Sequence, residues 1–355
     1  MAKGNLLALR STRCQLLCWE NGDLRILNYL TRGTFAAKPV VLELIRFFST
    51  ARTIREAMFE FDAYSPASVG EAIVKLIEAE LLLECDSPEA ARDDLLHSSW
   101  KPWLPEGGFH FLTKDAPYAG GDLTMEQKLQ MMPRTPQPPH FKKTAGAELI
   151  SLPPHEPEED SFFQTLHARR TRRTFSAAPA SLPSVSKLLK TTWGVQGYIE
   201  SGYFGSLPLK TSPSAGARHP IEVYLMALRV KGLARGLYHY DPEVHALERI
   251  SAGATAQQAR DYCADQPHAA DAAALFIMTA VFARTMWKYP HPRAYRVVLL
   301  DAGHLGQTFC LTATRMGLAP FSTAALADTL IERDLGVDGI SESVIYVTGI
   351  GMPPR

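Results

Sequence analysis

Residues 283–296 read ARTMWKYPHPRAYR and lie between two apolar runs. A solvated turn is ordinarily built from Gly, Asn, Asp and Ser, chosen for their backbone habits. This stretch carries long cationic and phenolic side chains instead. Lys288 and Tyr289 follow an apolar run of strand length, which places them at the mouth of a sheet. A lysine acts as a base only when burial or nearby cations lower it from about 10.4 toward about 7–8. Arg284, Arg293 and Arg296 are the local candidates for those cations. The other reading is a surface loop whose aromatics cover the core, and composition leaves both standing.

Three further stretches carry usable chemistry. Arg169-Arg170-Thr171-Arg172-Arg173 offers guanidinium forks and a hydroxyl that match phosphate oxygens. It reads equally as a solvated basic helix end, where cations suit the dipole. In TSPSAGARHP (211–220) the small residues Ser212, Ser214, Ala215, Gly216 and Ala217 allow backbone to approach a flat ligand. An ordinary loop would look the same. PFSTAALAD (320–328) is a second run of small residues whose N–H groups suit a ring edge. No P-loop and no strand–GxGxxG–helix unit is present, so any phosphate must be held by side-chain cations. Cys14, Cys18, Cys85, Cys263 and Cys310 are scattered and odd in number, as expected of reduced thiols. They lack zinc-like spacing, and no metal site is expected.

The positioning elements come next. With 355 residues, 46% of them hydrophobic, the chain can build a real core and is not a disordered polymer. A net charge of zero removes the general electrostatic attraction on which nucleic-acid binders depend. No apolar run approaches the ~20 residues of a membrane span, and no secretory h-region with a cleavage site opens the chain. A cytoplasmic protein without membrane or nucleic-acid partners is expected.

Three segments are expected: a module over 1–95, a Pro-rich linker and arm over 96–160, and a larger domain over 161–355. In the first, alternation around Asn21-Gly22-Asp23 predicts two strands and a tight turn. Val40, Val41, Leu44, Ile45 and Phe48 share one helical face, and Val69, Ile73, Leu76, Ile77 and Leu81 another after Ser65-Pro66. ELLLE would be a wing strand, so the module reads as a winged helix. In the linker Pro102, Pro105, Pro117 and later prolines break any long element, and extended arms are expected. In the third segment SFFQTLHARRTRRTF starts as a helix, and LPSVSKLLKTTWGVQGY is a helix stopped by Gly194 and Gly197. IEVYLMALRV, GLYHYD, HALERI, AALFIMTAVF and SVIYVTGIG read as strands. AYRVVLLDAGHLGQTFCLTATRMGL reads as a central buried helix ended by Gly317. Hairpins and helices between strands imply a mixed sheet covered by helices.

Taken in order, RRTRRTF, SPSAGARHPIEVYL, GLYHYDPEVHALERI, FARTMWKYPHPRAYRVVLLDAGHLGQ and GLAPFSTAALAD resemble the SagB-type dehydrogenases. These are the azoline-oxidising branch of the nitroreductase-like flavoproteins, and the resemblance spans about 161–353. It implies an α+β, nitroreductase-like three-layer sandwich, with a mixed, mainly antiparallel sheet between helices. It also implies FMN bound at a homodimer interface, and oxidation of peptide thiazolines or oxazolines to thiazoles or oxazoles. By the same resemblance Arg169, Arg170 and Thr171 hold the flavin phosphate and ribityl chain, and Arg173 reaches the N1/O2 edge. Pro213, Ser214, Ala215 and Gly216, from the partner subunit, pack on the ring. Thr323, Ala324 and Ala325 contact it near N5, Gln266 bonds its polar edge, and Lys288 and Tyr289 form the catalytic pair. The N-terminal module resembles the winged-helix, precursor-peptide-recognition domains that accompany such enzymes, whose partners include a cyclodehydratase.

Two departures stand out. Pro290-His291-Pro292 occupies the place of a shorter Gly-containing loop, and Ala325-Leu326 stands where Ala-Phe is commoner. The competing expectations are a generic NAD(P)H-dependent flavin reductase of nitroaromatics or quinones, and a non-catalytic peptide-binding scaffold for a cyclodehydratase. A winged-helix transcription regulator is the fourth.

Overall fold

The computed structural model describes residues 7–115 and 161–354. The chain divides into two compact units. One comprises Met1–Lys114, Val281–Val298 and Val337–Ser343; the other comprises Asp115–Ala280, Leu299–Gly336 and Val344–Arg355.

The first unit starts with β1 (Ala8–Ser11), β2 (Gln15–Glu20), β3 (Asp23–Asn28) and β4 (Gly33–Ala37), followed later by β5 (Arg52–Thr53) and β6 (Leu82–Glu84). Two three-stranded sheets result, in the orders β5-β1-β6 and β2-β3-β4. The β2–β3 turn forms where expected, because Asn21 and Gly22 both take positive φ, 54° and 90°. That is the geometry a two-residue hairpin requires. Helices Val41–Phe47, Ile54–Glu60 and Pro66–Glu78 pack Leu44, Ile45, Ala57, Ile73 and Leu76 against Leu9, Leu24 and Ile26. Ser65 caps the third helix by accepting from the Ser68 N–H, and Pro66 occupies its first turn, where its missing N–H costs nothing.

The boundary expected at residue 95 falls inside a helix, Pro88–Trp100. A short 3₁₀ turn, Lys101–Trp103, and a helix, Gly108–Leu112, follow. Residues 101–112 are therefore not an extended arm. The reason is their aromatic content: Trp100, Trp103, His110 and Phe111 are all buried, which a solvated linker does not achieve. The arms expected over 116–160 lie outside the described residues. Asp93 ties the Pro88–Trp100 helix to the first strand. Its buried carboxylate accepts from Thr12 Oγ1 at 2.6 Å, the Arg13 N–H at 3.0 Å and Arg10 Nη1 at 2.8 Å. Those partners outweigh the cost of burial and hold it below the usual carboxylate range.

The second unit is organised on a six-stranded sheet of β10 (Ile221–Ala227), β12 (Gly236–Asp241), β13 (Ala246–Ala252), β14 (Ala274–Val281), β15 (Ala319–Thr323) and β16 (Glu342–Gly351). Their order is β13-β12-β10-β14-β16-β15. The pairs β13–β12, β12–β10, β10–β14 and β15–β16 are antiparallel. Burial along β14 runs unbroken from Ala274 to Ala280, as befits a central strand covered on both faces. Trp193 stacks on Phe276 at 5.9 Å and Phe276 meets Phe309 at 4.8 Å, joining the sheet to the helix Tyr295–Arg315. This long helix stops before Gly317, whose φ of 72° turns the chain. One departure is local: the helix Leu182–Thr192 ends before Gly194, and Gly197 belongs to a hairpin of β8 (Val195–Ser201) and β9 (Gly205–Lys210). No helix among the described residues is long and apolar enough to cross a membrane.

Candidate functional site

In the second unit the arginine segment leaves the helix Ser161–Ala168 and passes β15, the edge strand of the sheet. The Arg172 N–H donates to the Pro320 carbonyl at 2.8 Å, and the Ser176 N–H to the Met352 carbonyl at 2.9 Å. Phe175 packs on Phe321 and lies directly over Gly351, where a Cβ would collide with its ring. The backbone of the segment is thus fixed while its guanidinium groups face outward. Arg169 is half-buried; Arg170, Thr171 and Arg173 are exposed. Arg170 Nη1 donates to the carbonyls of His167 and Arg169, at 2.9 and 2.7 Å, so it caps its own helix end. The charge of Arg169 reaches Cys310, where it opposes the upward push that burial gives the thiol. The charge of Arg173 reaches His268, which burial and that cation together hold below the usual histidine range.

Four more of the expected residues gather where β15 ends, at Thr323. Gln266 Nε2 donates to Thr323 Oγ1 at 3.0 Å, and the Ala325 N–H donates to the same hydroxyl at 3.1 Å. Thr323 therefore holds both the glutamine and the small-residue run that follows β15, with Ala324 between.

Pro213–Gly216 is positioned separately, on the long helix. Ser214 Oγ donates to Asp301 Oδ2 at 2.5 Å and accepts from the His219 N–H at 2.9 Å; Ser212 and Thr308 share a 2.7 Å hydrogen bond. Gly216 and Ala217 adopt φ of 60° and 54°, the left-handed region that favours small residues. Burial raises the Asp301 carboxyl, against Ser214 and the Ala215 N–H, which stabilise its charged form. Asp301 and Cys310 are about two and a half turns apart on this helix and so lie on opposite faces. The Pro213–Gly216 loop consequently lies on the helix face opposite Cys310.

Lys288 and Tyr289 belong to the first unit. β14 leads into the helix Phe282–Met286, and the N–H groups of Lys288 and Tyr289 both donate to the Thr285 carbonyl, at 3.2 and 2.9 Å. Both residues are half-buried, with Lys288 Nζ 5.7 Å from the Tyr289 ring centroid. Arg284, Arg293 and Arg296 are exposed. The stretch expected to be loop is mostly short helical turns, and it is anchored from below by Trp103 and His110. Trp103 Nε1 donates to the Tyr289 carbonyl at 3.1 Å, and His110 bonds the Tyr295 hydroxyl at 3.0 Å.

Sequence reasoning missed Asp301, Trp103 and His110. Asp301 had a signal, being a lone carboxylate in the apolar stretch VVLLDAGHL. Trp103 and His110 were obscured by the prolines around them, although the density of aromatics there is foreign to a linker. Among the described residues no group of three or more His, Cys, Asp or Glu is placed to hold a metal ion.

Sequence comparison gives the class to which this domain belongs. The Nitroreductase family model matches residues 166–352, so the chain belongs to the nitroreductase family and is, in general terms, a flavin-dependent oxidoreductase. It is 32% identical over 188 residues to the putative nitroreductase of Methanocaldococcus jannaschii, covering 53% of this chain and 89% of that protein. It is 25% identical over 320 residues to the trifolitoxin-processing protein TfxB of Rhizobium leguminosarum bv. trifolii, covering 84% of this chain and 83% of that one. With the microcin B17-processing protein McbC of Escherichia coli it shares 28% identity over 149 residues, 39% of this chain and 53% of that protein.

Proposed function

We propose that this chain is an FMN-dependent dehydrogenase of the SagB type, oxidising thiazoline or oxazoline rings of a peptide to thiazoles or oxazoles. The observation that carries this reading is the extent of the likeness to the trifolitoxin-processing protein. It covers 84% of the chain, more than the family region 166–352 can account for. A plain nitroreductase needs no such N-terminal part, whereas an enzyme that must hold a peptide does.

The residues present suit the cofactor. Arg169 and Arg173 supply cations for a phosphate and an electron-rich ring edge. Thr323, Ala325 and Gln266 form one hydrogen-bonded group, with Ala324 between, for the ring's polar side. The left-handed Gly216-Ala217 turn beside Pro213, Ser214 and Ala215 allows flat contact. When bound, FMN supplies the hydride acceptor. Lys288 or Tyr289 removes the ring proton from carbon, so the azoline loses two hydrogens and gains a double bond. Pro290-His291-Pro292 makes this turn stiff, because prolines fix φ and donate no hydrogen bond.

A homodimer is part of the proposal. Pro213–Gly216 lies on the face of the long helix opposite Cys310, the thiol that the charge of Arg169 reaches, which favours a site completed by two protomers. The helix leaves Leu300, Gly303, His304 and Gln307 exposed as one strip, with a glycine where another helix can approach closely.

The N-terminal part is proposed as a winged-helix, peptide-recognition module. Beside β4, an edge strand of its sheet, lies an apolar groove of about 530 Å³ lined by Phe35, Val41, Phe61, Val69, Ala72 and Leu76. Lys38, Glu71 and Lys75 also line it. An extended peptide could add a strand there and seat alternate side chains in the groove. Since the substrate arrives already cyclised, a cyclodehydratase is the expected partner.

The test is direct. Purified protein should show the absorbance of bound oxidised flavin, and anaerobic addition of an azoline peptide should bleach it while the peptide loses two hydrogens by mass spectrometry. Rapid bleaching by NADPH, with the azoline peptide unchanged, would replace this reading by that of a generic flavin reductase. A colourless protein that takes up no FMN would replace it by a binding scaffold.

A further inference from the structure

The assigned catalytic pair sits on a turn whose backbone is held by residues from a distant part of the chain. The Tyr289 carbonyl accepts twice, from the His291 N–H at 2.8 Å and from Trp103 Nε1 at 3.1 Å. Just upstream, Phe282 packs against Trp100 at 4.6 Å and His110 at 5.1 Å. Just downstream, Tyr295 shares a 3.0 Å hydrogen bond with His110 Nδ1, while His110 Nε2 bonds Ser343 Oγ at 3.0 Å. Entry, centre and exit of the 282–295 segment are each tied to residues 100–110.

The anchor is itself fixed. Trp100 Nε1 donates to the Ile340 carbonyl at 2.9 Å, and Trp100 stacks on the His110 ring at 5.3 Å with 15° between planes. Trp100 and Trp103 are fully buried and meet edge to face at 5.6 Å. Burial, helped by Lys114, lowers the His110 pKa to about 3, so the ring is neutral. A neutral imidazole offers one donor and one acceptor, which matches two hydroxyl partners. By contrast, nothing in the packing of the N-terminal core requires an indole N–H aimed at residue 289.

We propose that Trp103 is a positioning residue for the Lys288–Tyr289 turn, with His110 and Trp100 as the rigid base that keeps its indole and the exit at Tyr295 in place. The proposal rests on the azoline dehydrogenase reading, because it assigns proton removal to this turn. Proton transfer needs reacting groups set within hydrogen-bond reach, and a displacement of about 1 Å costs on the order of a hundredfold in rate. A turn containing two prolines lacks two of the backbone donors with which it could fix itself. The indole N–H supplies the missing constraint at the carbonyl of one of the two reacting residues.

Trp103→Phe removes the donor while keeping an aromatic ring, and Tyr295→Phe removes only a hydroxyl, a change small enough to leave the fold intact. Two readouts apply, on the full-length protein. The first is hydrogen–deuterium exchange without flavin: the amides of Lys288, Tyr289 and His291 should exchange about fivefold faster in Trp103→Phe, as expected for loss of one hydrogen bond. Those of 289–296 should do so in Tyr295→Phe, and those of the Val41–Phe47 helix should not change in either. The second is single-turnover flavin reduction by an azoline peptide. Its limiting rate should fall about tenfold or more in Trp103→Phe with half-saturation by peptide unchanged. Unchanged exchange and unchanged limiting rate, in a protein whose wild type reduces its flavin, overturn the positioning role alone. A wild type that leaves its flavin oxidised overturns the dehydrogenase reading and this role with it. If Trp103→Phe does not fold, the Tyr295→Phe exchange pattern decides: acceleration confined to 289–296 supports the anchor, and none overturns it.

Discussion

The Lys288–Tyr289 turn and the Arg169–Arg173 segment are both polar stretches next to apolar elements, yet each is built differently. Around Lys288 the protein invests in backbone: the Tyr289 carbonyl is doubly bonded, and buried aromatics anchor the flanks. Around Arg169 it fixes a few backbone points and leaves most of the cationic side chains outward. The contrast follows from the tasks proposed for them. A proton-transferring group needs a defined position. A cation gripping a phosphate needs charge and reach, and the ligand completes its order. In the first region substitutions should act on rate, in the second on affinity.

The largest expected effect lies in the turn. Lys288→Met and Tyr289→Phe are made separately, and flavin reduction by an azoline peptide is followed in a single turnover. The variant that removes the base should lose about 10²–10⁴ in rate and keep its flavin. Wild-type rates in both would break the comparison at its root. Next come the arginines. Arg169→Ala and Arg173→Ala should weaken FMN binding about ten- to a hundredfold each, the range of a charge-assisted hydrogen bond, as read by fluorescence titration. Arg170→Ala should cost less, since that guanidinium already caps the helix end. An Arg170 effect equal to that of Arg169 would mean that Arg170 swings onto the ligand.

These regions also differ in how far they could be read from sequence. The strands and hairpin turns were legible because hydrophobic alternation and Asn-Gly carry their own geometry. The six-stranded order was not, since pairing between β14 and β16 joins segments far apart in the chain. The arginine segment was visible as chemistry, because five consecutive residues display it. What sequence could not show was that Arg170 turns back on its own helix while Arg169 and Arg173 act on Cys310 and His268. For the Lys-Tyr turn the opposite held: the two candidate residues could be named from sequence, and the supports of their backbone could not. Trp103 is separated from Tyr289 by most of the chain, and local pattern cannot reveal such a partner. The prolines at 102 and 105 also favoured a linker, and tertiary burial of the neighbouring aromatics overrode them.

Two histidines, one in each unit, should show pH dependences of opposite sign. His110 is buried among Trp100, Phe111, Phe282 and Tyr295, with Lys114 as the nearby charge, and its pKa falls to about 3. Between pH 3 and the ordinary histidine value of about 6.5, the unfolded chain takes up a proton that the folded one refuses. Stability should therefore fall as pH drops through that window, by at most about 1.4 kcal/mol per pH unit. His239 is held between Glu222 at 3.1 Å and Glu248 at 2.7 Å, and its hydrogen bonds to these carboxylates raise its pKa to about 9. Here the folded state binds the extra proton, so the contribution is full below about 6.5 and disappears as pH rises through 9. Denaturant unfolding from pH 4 to 10 separates the two, because slopes are compared and a constant offset from the substitution cancels. His110→Asn should flatten the acid limb and leave the alkaline one; His239→Asn should do the reverse. An unaltered acid limb in His110→Asn would mean that its imidazole reaches solvent in the folded protein, and the rigid base beneath the Lys288–Tyr289 turn would go with it.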